Sequence, residues 1–272
     1  ANFGTGFRIV NLFTEDHAFI TGQREVEIRE SLNPERSING TLDLNHVYSG
    51  WGVGTIGVEA YYTYFFNKII PNYDDPGKII YENTTGNAQT RGIGVSVNHS
   101  FTFPLSLNVG FNVQKATETE INDQEQWQTK PIEFAPQWSS VLTLNYQFKK
   151  PDITLAYSAN FTGAMSLPEV YDLDNAGQPL NTPRPVTSNP FSIHSIQATK
   201  RFNASLTIYG GFENLFNYQQ ASSPLTGFND PNFNPGFSPY FDTSYAFSPN
   251  HGIEFYLGIR WDLKPKSKSA VK

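Results

Sequence analysis

The chain has no cysteine in its 272 residues, so it can build neither a disulfide framework nor a thiolate metal site. It also lacks any run of 18 or more apolar residues, which excludes a membrane-spanning helix. If it crosses a bilayer, it must do so as strands of a closed barrel, the other arrangement that satisfies every backbone N–H and C=O in lipid. Charge is scarce: charged residues make up 16% of the chain, against about 25% in an ordinary soluble protein. There is no basic excess. A formal net charge of −6 with no basic aromatic patch argues against a nucleic-acid partner. The opening A-N-F-G-T-G-F-R has neither the basic nor the apolar region of a signal peptide. An exported protein would have shed that segment, so this absence excludes no compartment.

Catalytic signatures are missing as well. H-E-x-x-H, G-x-S-x-G and a phosphate-cradling glycine loop do not occur, and we expect no enzyme and no cofactor. His46 and His99 fall on apolar strand faces, as interface residues do, while His17 and His251 lie in loops without a second ligand at useful spacing. D-L-D-N-A-G (Asp172 to Gly177) resembles half a calcium loop, but Ala176 stands where an oxygen donor is needed, so an acidic turn is expected and no metal site.

Aromatic residues, by contrast, reach 15%, a composition that suits belts at two membrane–water interfaces. The clearest pattern is Gly252 to Leu263, where Ile253, Phe255, Leu257, Ile259, Trp261 and Leu263 alternate with Glu254, Tyr256, Gly258, Arg260 and Asp262. Period two with one apolar face is a strand. At roughly 3.3 Å per residue it is about 40 Å long, enough to cross a bilayer core when tilted. The same alternation runs through Ser37–Tyr48, Gly52–Asn67, Arg91–Phe101, Leu107–Val113, Trp138–Phe148, Ile153–Thr162 and Leu206–Glu213. Ser192–Phe202 reads as a strand with two faces of nearly equal polarity. Residues 1–36 read as irregular, an extracellular loop region that includes the end of a preceding strand, with E-V-E-I-R-E (Glu25 to Glu30) a short strand or ribbon. Residues 264–272 form a basic tail expected to be periplasmic.

These nine strands, spanning 37–263, are joined by connections that alternate short and long. Outer-membrane barrels alternate short periplasmic turns with long extracellular loops in this way. The second faces carry Gly, Ser, Thr and Asn, as a wet lumen requires, which speaks against a soluble β-sandwich with its second packed face. The fold expected is therefore all-β, a transmembrane antiparallel barrel. On this count the first and last strands both descend toward the periplasm. Two like-directed edges cannot close an antiparallel barrel, so further strands are expected before Ala1.

Three stretches resemble the TonB-dependent outer-membrane receptors, in the form found in Bacteroidetes-like bacteria. F-G-T-G-F-R-I-V-N-L-F-T-E-D-H (Phe3 to His17) with L-N-P-E-R-S-I-N (Leu32 to Asn39) is similar to the region that leads into a mid-barrel strand. G-G-F-E-N-L-F-N-Y (Gly210 to Tyr218) is similar to the close of the penultimate strand. Y-L-G-I-R-W-D-L fits the terminal assembly signal, with Tyr256, Gly258, Trp261 and Leu263 its marked positions. The resemblance implies a 22-stranded barrel of which this chain supplies the C-terminal nine or ten strands. It also implies that the remaining strands and a plug domain are partners, with TonB acting through that plug, outer-membrane lipid around the wall and a surface lipoprotein as a further candidate. The implied function is energised uptake of a scarce nutrient such as a siderophore–metal chelate, cobalamin or an oligomer, in the outer membrane of a Gram-negative bacterium. A plug-less passive channel, or a structural barrel subunit of a larger complex, is the alternative. Trp127, Tyr171, Arg184, Tyr218, Phe228 and Tyr240 are the candidate substrate contacts, because aromatic residues and Arg dominate binding hot spots. Glu59, Glu213, Glu254 and Arg260 face the lumen by parity, placed to pair with each other or with a plug.

Overall fold

The computed structural model describes residues 1–9, 25–28, 32–72, 78–83, 86–122, 124–203, 205–227 and 244–262. In chain order the strands are β1 (Asn2–Arg8), β2 (Glu25–Ile28), β3 (Glu35–Ser49), β4 (Gly52–Phe65), β5 (Ile69–Asn72), β6 (Lys78–Asn83), β7 (Asn87–Phe101) and β8 (Leu105–Ile121). They continue as β9 (Trp127–Pro131), β10 (Trp138–Phe148), β11 (Ile153–Thr162), β12 (Tyr171–Leu173), β13 (Pro179–Pro183), β14 (Phe191–Arg201), β15 (Leu206–Glu213) and β16 (Glu254–Trp261).

One antiparallel sheet runs β1-β3-β4-β7-β8-β10-β11-β14-β15-β16, so each strand pairs with the next long strand in sequence. All nine strands read from the alternation are in it. The tenth is β1, which pairs with β3 from Asn2↔Thr41 to Arg8↔Glu35 and lies in the segment read as irregular. Gly4 and Gly6 hid it. They occupy its inner face, where Gly6 lies close over the Ser37 hydroxyl, leaving only Phe3 and Phe7 to mark the outer one. With β1 counted, the edge strands run in opposite directions, so the parity argument for missing strands fails. Among the described residues, however, β1 and β16 do not pair with each other.

Two further boundaries differ from the sequence reading. β8 does not stop near Val113 but continues to Ile121, and β9 folds back on it from Thr117↔Pro131 to Ile121↔Trp127. Much of the long connection that the alternation left between Val113 and Trp138 is thus a β-arm projecting past the barrel wall. β2, β6 and β5 form a small separate sheet, as do β12 and β13.

Register decides what each face carries. The cross-strand rows Leu42–Ala60–Ile93–Val113 and Leu44–Val58–Val95–Phe111 point outward, as do Ile208–Ile259 and Gly210–Leu257. Phe3 is 79% exposed and Leu257 68%. On a water-soluble surface a contiguous apolar face of this extent would drive aggregation; against acyl chains it is the stable arrangement. At the short-turn end this band closes in aromatic rings. Tyr48 stacks on His99 with its hydroxyl 3.0 Å from Nδ1, and His99 meets Phe101 edge-on. Opposite-parity positions such as Asn45, Gly57, Ser96 and Gly110 form one row of the polar inner face.

Candidate functional site: the inner wall and its extracellular roof

The inner face of β3, β4, β7, β8 and β10 makes a shallow concavity lined by Asp43, Asn45, Glu59, Ser96, Asn112 and Ser139, among others. Small residues open it, and longer polar ones stock its walls with donors and acceptors. The Tyr61 hydroxyl lies 3.2 Å from both Asn112 Oδ1 and Gln114 Oε1, bracing the ring over Gly92. Asp43 and Glu59 are direct cross-strand partners, as are Glu213 and Glu254. Like charges so placed repel, and they leave the inner wall negative.

The four charges assigned to the lumen by parity all have inner-face positions in this register, but they do not pair with one another. Glu254 meets His251 at 3.0 Å, and Arg260 meets Asp262 at 3.0 Å. Among the described residues Glu59 and Glu213 have no ion-pair partner. Of the assembly-signal residues, Tyr256 and Gly258 are on the inner face and Trp261 on the outer one, while Leu263 lies outside the described residues.

At the mouth, the connection 163–190 packs against the described part of the connection after β15, residues 214–227 and 244–251. Met165, Leu167, Val170 and Tyr245 form a small buried core, with Phe191 and Phe247 against it. Arg184 ties this roof together. Its Nε donates to Asp172 Oδ1 at 2.9 Å, Nη1 donates to the Ser223 carbonyl, and its guanidinium stands over the Tyr245 ring at 5.1 Å. Burial raises the Tyr245 pKa, partly opposed by the nearby guanidinium, so the phenol stays neutral and donates to the Pro185 carbonyl at 2.8 Å. Tyr218 stacks on Phe191 with ring centroids 5.0 Å apart. Tyr171 bonds the Glu169 carboxylate. Trp127 stands apart at the end of the β8–β9 arm and is 61% exposed. Phe228 and Tyr240 lie outside the described residues. Arg184 thus holds loop against loop, Tyr218 packs on the start of β14, and the largely exposed Trp127 ring lies beside Gly86.

A second network braces the arm. Glu118 accepts ion pairs from Lys68 at 3.3 Å and Lys130 at 3.4 Å, and Lys130 also reaches Glu120 at 3.3 Å. Burial tends to lower the Lys130 pKa, but Glu120 and Glu118 outweigh it and the net shift is upward. Nearby Glu133 is exposed by residue yet crowded by its neighbours, and partial desolvation raises its pKa, with Lys130 opposing. Residue types alone gave no sign of this network, since it exists only once β9 folds back on β8.

The N-L-F-N stretch proves to be a clasp. Asn214 and Asn217 both adopt positive φ, 48° and 54°, which asparagine tolerates better than most residues. Asn214, 3% exposed, accepts from Tyr218 N at 2.8 Å and donates to the carbonyls of Tyr218 and His251 at 2.7 and 3.2 Å. Asn217 Oδ1 accepts from Ile253 N at 3.1 Å and occupies the space a side chain at Gly252 would need. The two asparagines pin the residues entering β16 to those leaving β15. The Asp172–Gly177 segment is a turn, with Asp174 Oδ1 accepting from Ala176 N and Gln178 N at 2.8 and 2.9 Å.

Three solved transport proteins share this fold. The FrpB iron transporter from Neisseria meningitidis (F3-3 variant) aligns with TM-score 0.54 and 14% identity over 88% of this chain and 33% of that one. The ferric-catecholate import receptor Fiu from E. coli K12 gives 0.55 and 16% over 95% and 32%. The ferric enterobactin receptor of Pseudomonas aeruginosa gives 0.59 and 17% over 95% and 37%. The chain therefore spans about a third of the length of the solved receptors it matches. Identities this low establish the fold alone, and they lend no support to the narrower Bacteroidetes expectation. No match was found among curated protein sequences. Residues 1–215 match the family described as TonB dependent receptor-like, beta-barrel. With most of its length in that match and its strands laid out as a lipid-facing wall, the chain belongs to the TonB-dependent receptor-like β-barrel family of the Gram-negative outer membrane.

Proposed function

We propose that this barrel wall serves energised uptake of a scarce nutrient, with a metal chelate the first candidate and cobalamin or an oligomer the others. The observation that carries the reading is the family match over residues 1–215, on a wall whose inner face is polar and whose mouth is roofed by packed, aromatic-rich loops. Solved proteins of the same fold include an iron transporter, a copper transporter and a ferric enterobactin receptor, which puts metal chelates first. In this reading the extracellular connections capture the ligand, with Trp127, Tyr171 and Tyr218 supplying rings, Arg184 holding the loops, and Phe228 and Tyr240 in reserve. The ligand then descends along the wall bearing Glu59 when TonB, drawing on the inner-membrane proton gradient, deforms a plug held against it. The remaining barrel strands, the plug and TonB are the partners, with a surface lipoprotein a candidate lid. No covalent step is needed, because transport changes only where the ligand is.

The test is uptake of radiolabelled iron from ferric siderophores by cells with and without the receptor that carries this chain. We expect uptake that requires both the receptor and an energised inner membrane. Uptake that persists after the proton gradient is collapsed would indicate a passive channel and overturn the reading.

A further inference from the structure

The charges of β3, β4, β7 and β8 are sorted by face and by sign. Register places every carboxylate of these strands, Glu35, Asp43, Glu59, Glu118 and Glu120, on the inner parity. The outer parity carries only basic charge: Arg36, Arg91 and Lys115, all toward the long-loop end. Arg91 and Lys115 are direct cross-strand partners in the row Gly40–Tyr62–Arg91–Lys115. All three are exposed, and among the described residues none of their side chains has a hydrogen-bond or ion-pair partner. Two like charges facing each other across a strand pair destabilise the sheet unless something neutralises them.

Their height identifies the neutralising group. From Arg91 to Phe101 at the short-turn end, β7 runs about 33 Å at roughly 3.3 Å per residue. A tilt of about 40° projects that to about 25 Å, the height of a barrel's apolar band. Arg91 and Lys115 therefore stand where acyl chains give way to head groups on the extracellular side. The outer leaflet of a Gram-negative outer membrane is built of phosphorylated glycolipid, and a guanidinium beside an ammonium suits phosphate oxygens. We propose that Arg91 and Lys115, with Arg36 nearby on the same face, form a site for the phosphates of an outer-leaflet glycolipid. The site is on the lipid side of the wall and is independent of the ligand that passes inside.

The test reconstitutes the full-length receptor carrying this chain into phosphatidylcholine vesicles doped with diphosphoryl lipid A, and counts retained lipid after detergent extraction. Wild type is expected to retain diphosphoryl lipid A in preference to its dephosphorylated form. R91Q/K115Q is expected to weaken retention about thirtyfold, and R91Q or K115Q alone about fivefold each. R91K/K115R keeps both charges and is expected to retain the lipid. If the double variant does not fold, the single variants carry the comparison. Equal retention by wild type and the charge-removed variants, or of lipid with and without phosphate, overturns the proposal. So does full displacement of the lipid by inorganic phosphate, which would assign the site to a free anion. Ligand uptake through the lumen is expected to be unchanged in R91Q/K115Q, so failure of this proposal and failure of the uptake reading can be told apart.

Discussion

The ring of Tyr209 fills the space over Gly258, its direct cross-strand partner, so completely that no side chain fits there. Tyr256 covers Gly211 on the same pair of strands, and its hydroxyl donates to Gln197 Oε1 at 2.8 Å, one strand further on. Tyr61 over Gly92 repeats the arrangement at the far side of the sheet. An aromatic ring laid across a glycine restores packing that the glycine lacks and fixes register. Gly258→Val should expel Tyr209 and cost about 1–3 kcal/mol through overpacking. Heat-modifiable migration in electrophoresis would check it, with loss of the folded band expected. Tyr209→Phe, which keeps the ring, should assemble normally.

Leu257 tests the assignment of faces. It is exposed on the outer face, mid-strand in β16, opposite Gly210. Leu257→Arg should cost about 2–4 kcal/mol at the bilayer midplane and block assembly. Insertion into lipid vesicles would measure this. Normal insertion would mean that the parity of β16 is reversed.

The asparagine clasp gives a third expectation. Asn214→Ala removes three hydrogen bonds from a buried position and leaves backbone groups without partners, a loss of about 1–3 kcal/mol. Limited proteolysis should then cut near residues 214–220 in the variant before it cuts wild type.

Acidity acts on the β8–β9 arm through Glu133. Desolvation holds its folded pKa above the ordinary value of 4.5, with Lys130 opposing. A carboxyl whose pKa is raised on folding contributes most stability below its unfolded value and loses that contribution as pH rises through the folded one. The arm should therefore loosen as pH climbs from the ordinary carboxylate value through the raised one. Amide exchange at Ile132, whose N–H donates to the Ala116 carbonyl at 3.1 Å, would report this once corrected for intrinsic rates. Glu133→Gln should flatten the dependence.

The lipid face was legible in the sequence because acyl chains demand an uninterrupted apolar parity, and eight of the nine strands meet that demand over many residues, Ser192–Phe202 being the exception. β1 was expected only as the end of a preceding strand somewhere in 1–36, without bounds, because its small residues leave few rings and these looked like scattered aromatics. The β8–β9 arm escaped for another reason. Outside the membrane neither face must be apolar, so T-E-T-E-I and W-Q-T-K-P carry no period that separates strand from loop. The inner charges were assigned to the right face by counting in twos, but their partners depend on contacts that counting does not supply. Arg184 shows the same limit: its residue type suggests a ligand contact, while its position commits its donors to Asp172 and Ser223. Asn214 and Asn217 were visible only as part of a family resemblance. Their work became apparent once His251 and Ile253 were seen beside them.

That clasp also bears on how such a receptor changes over generations. Asn214 and Asn217 join the two feet of the connection directly, before and after residues 218–250, so strand pairing below does not depend on what the intervening chain does. The connection behaves as an exchangeable cassette. Changes in its length or sequence are expected to leave the β15–β16 register in place.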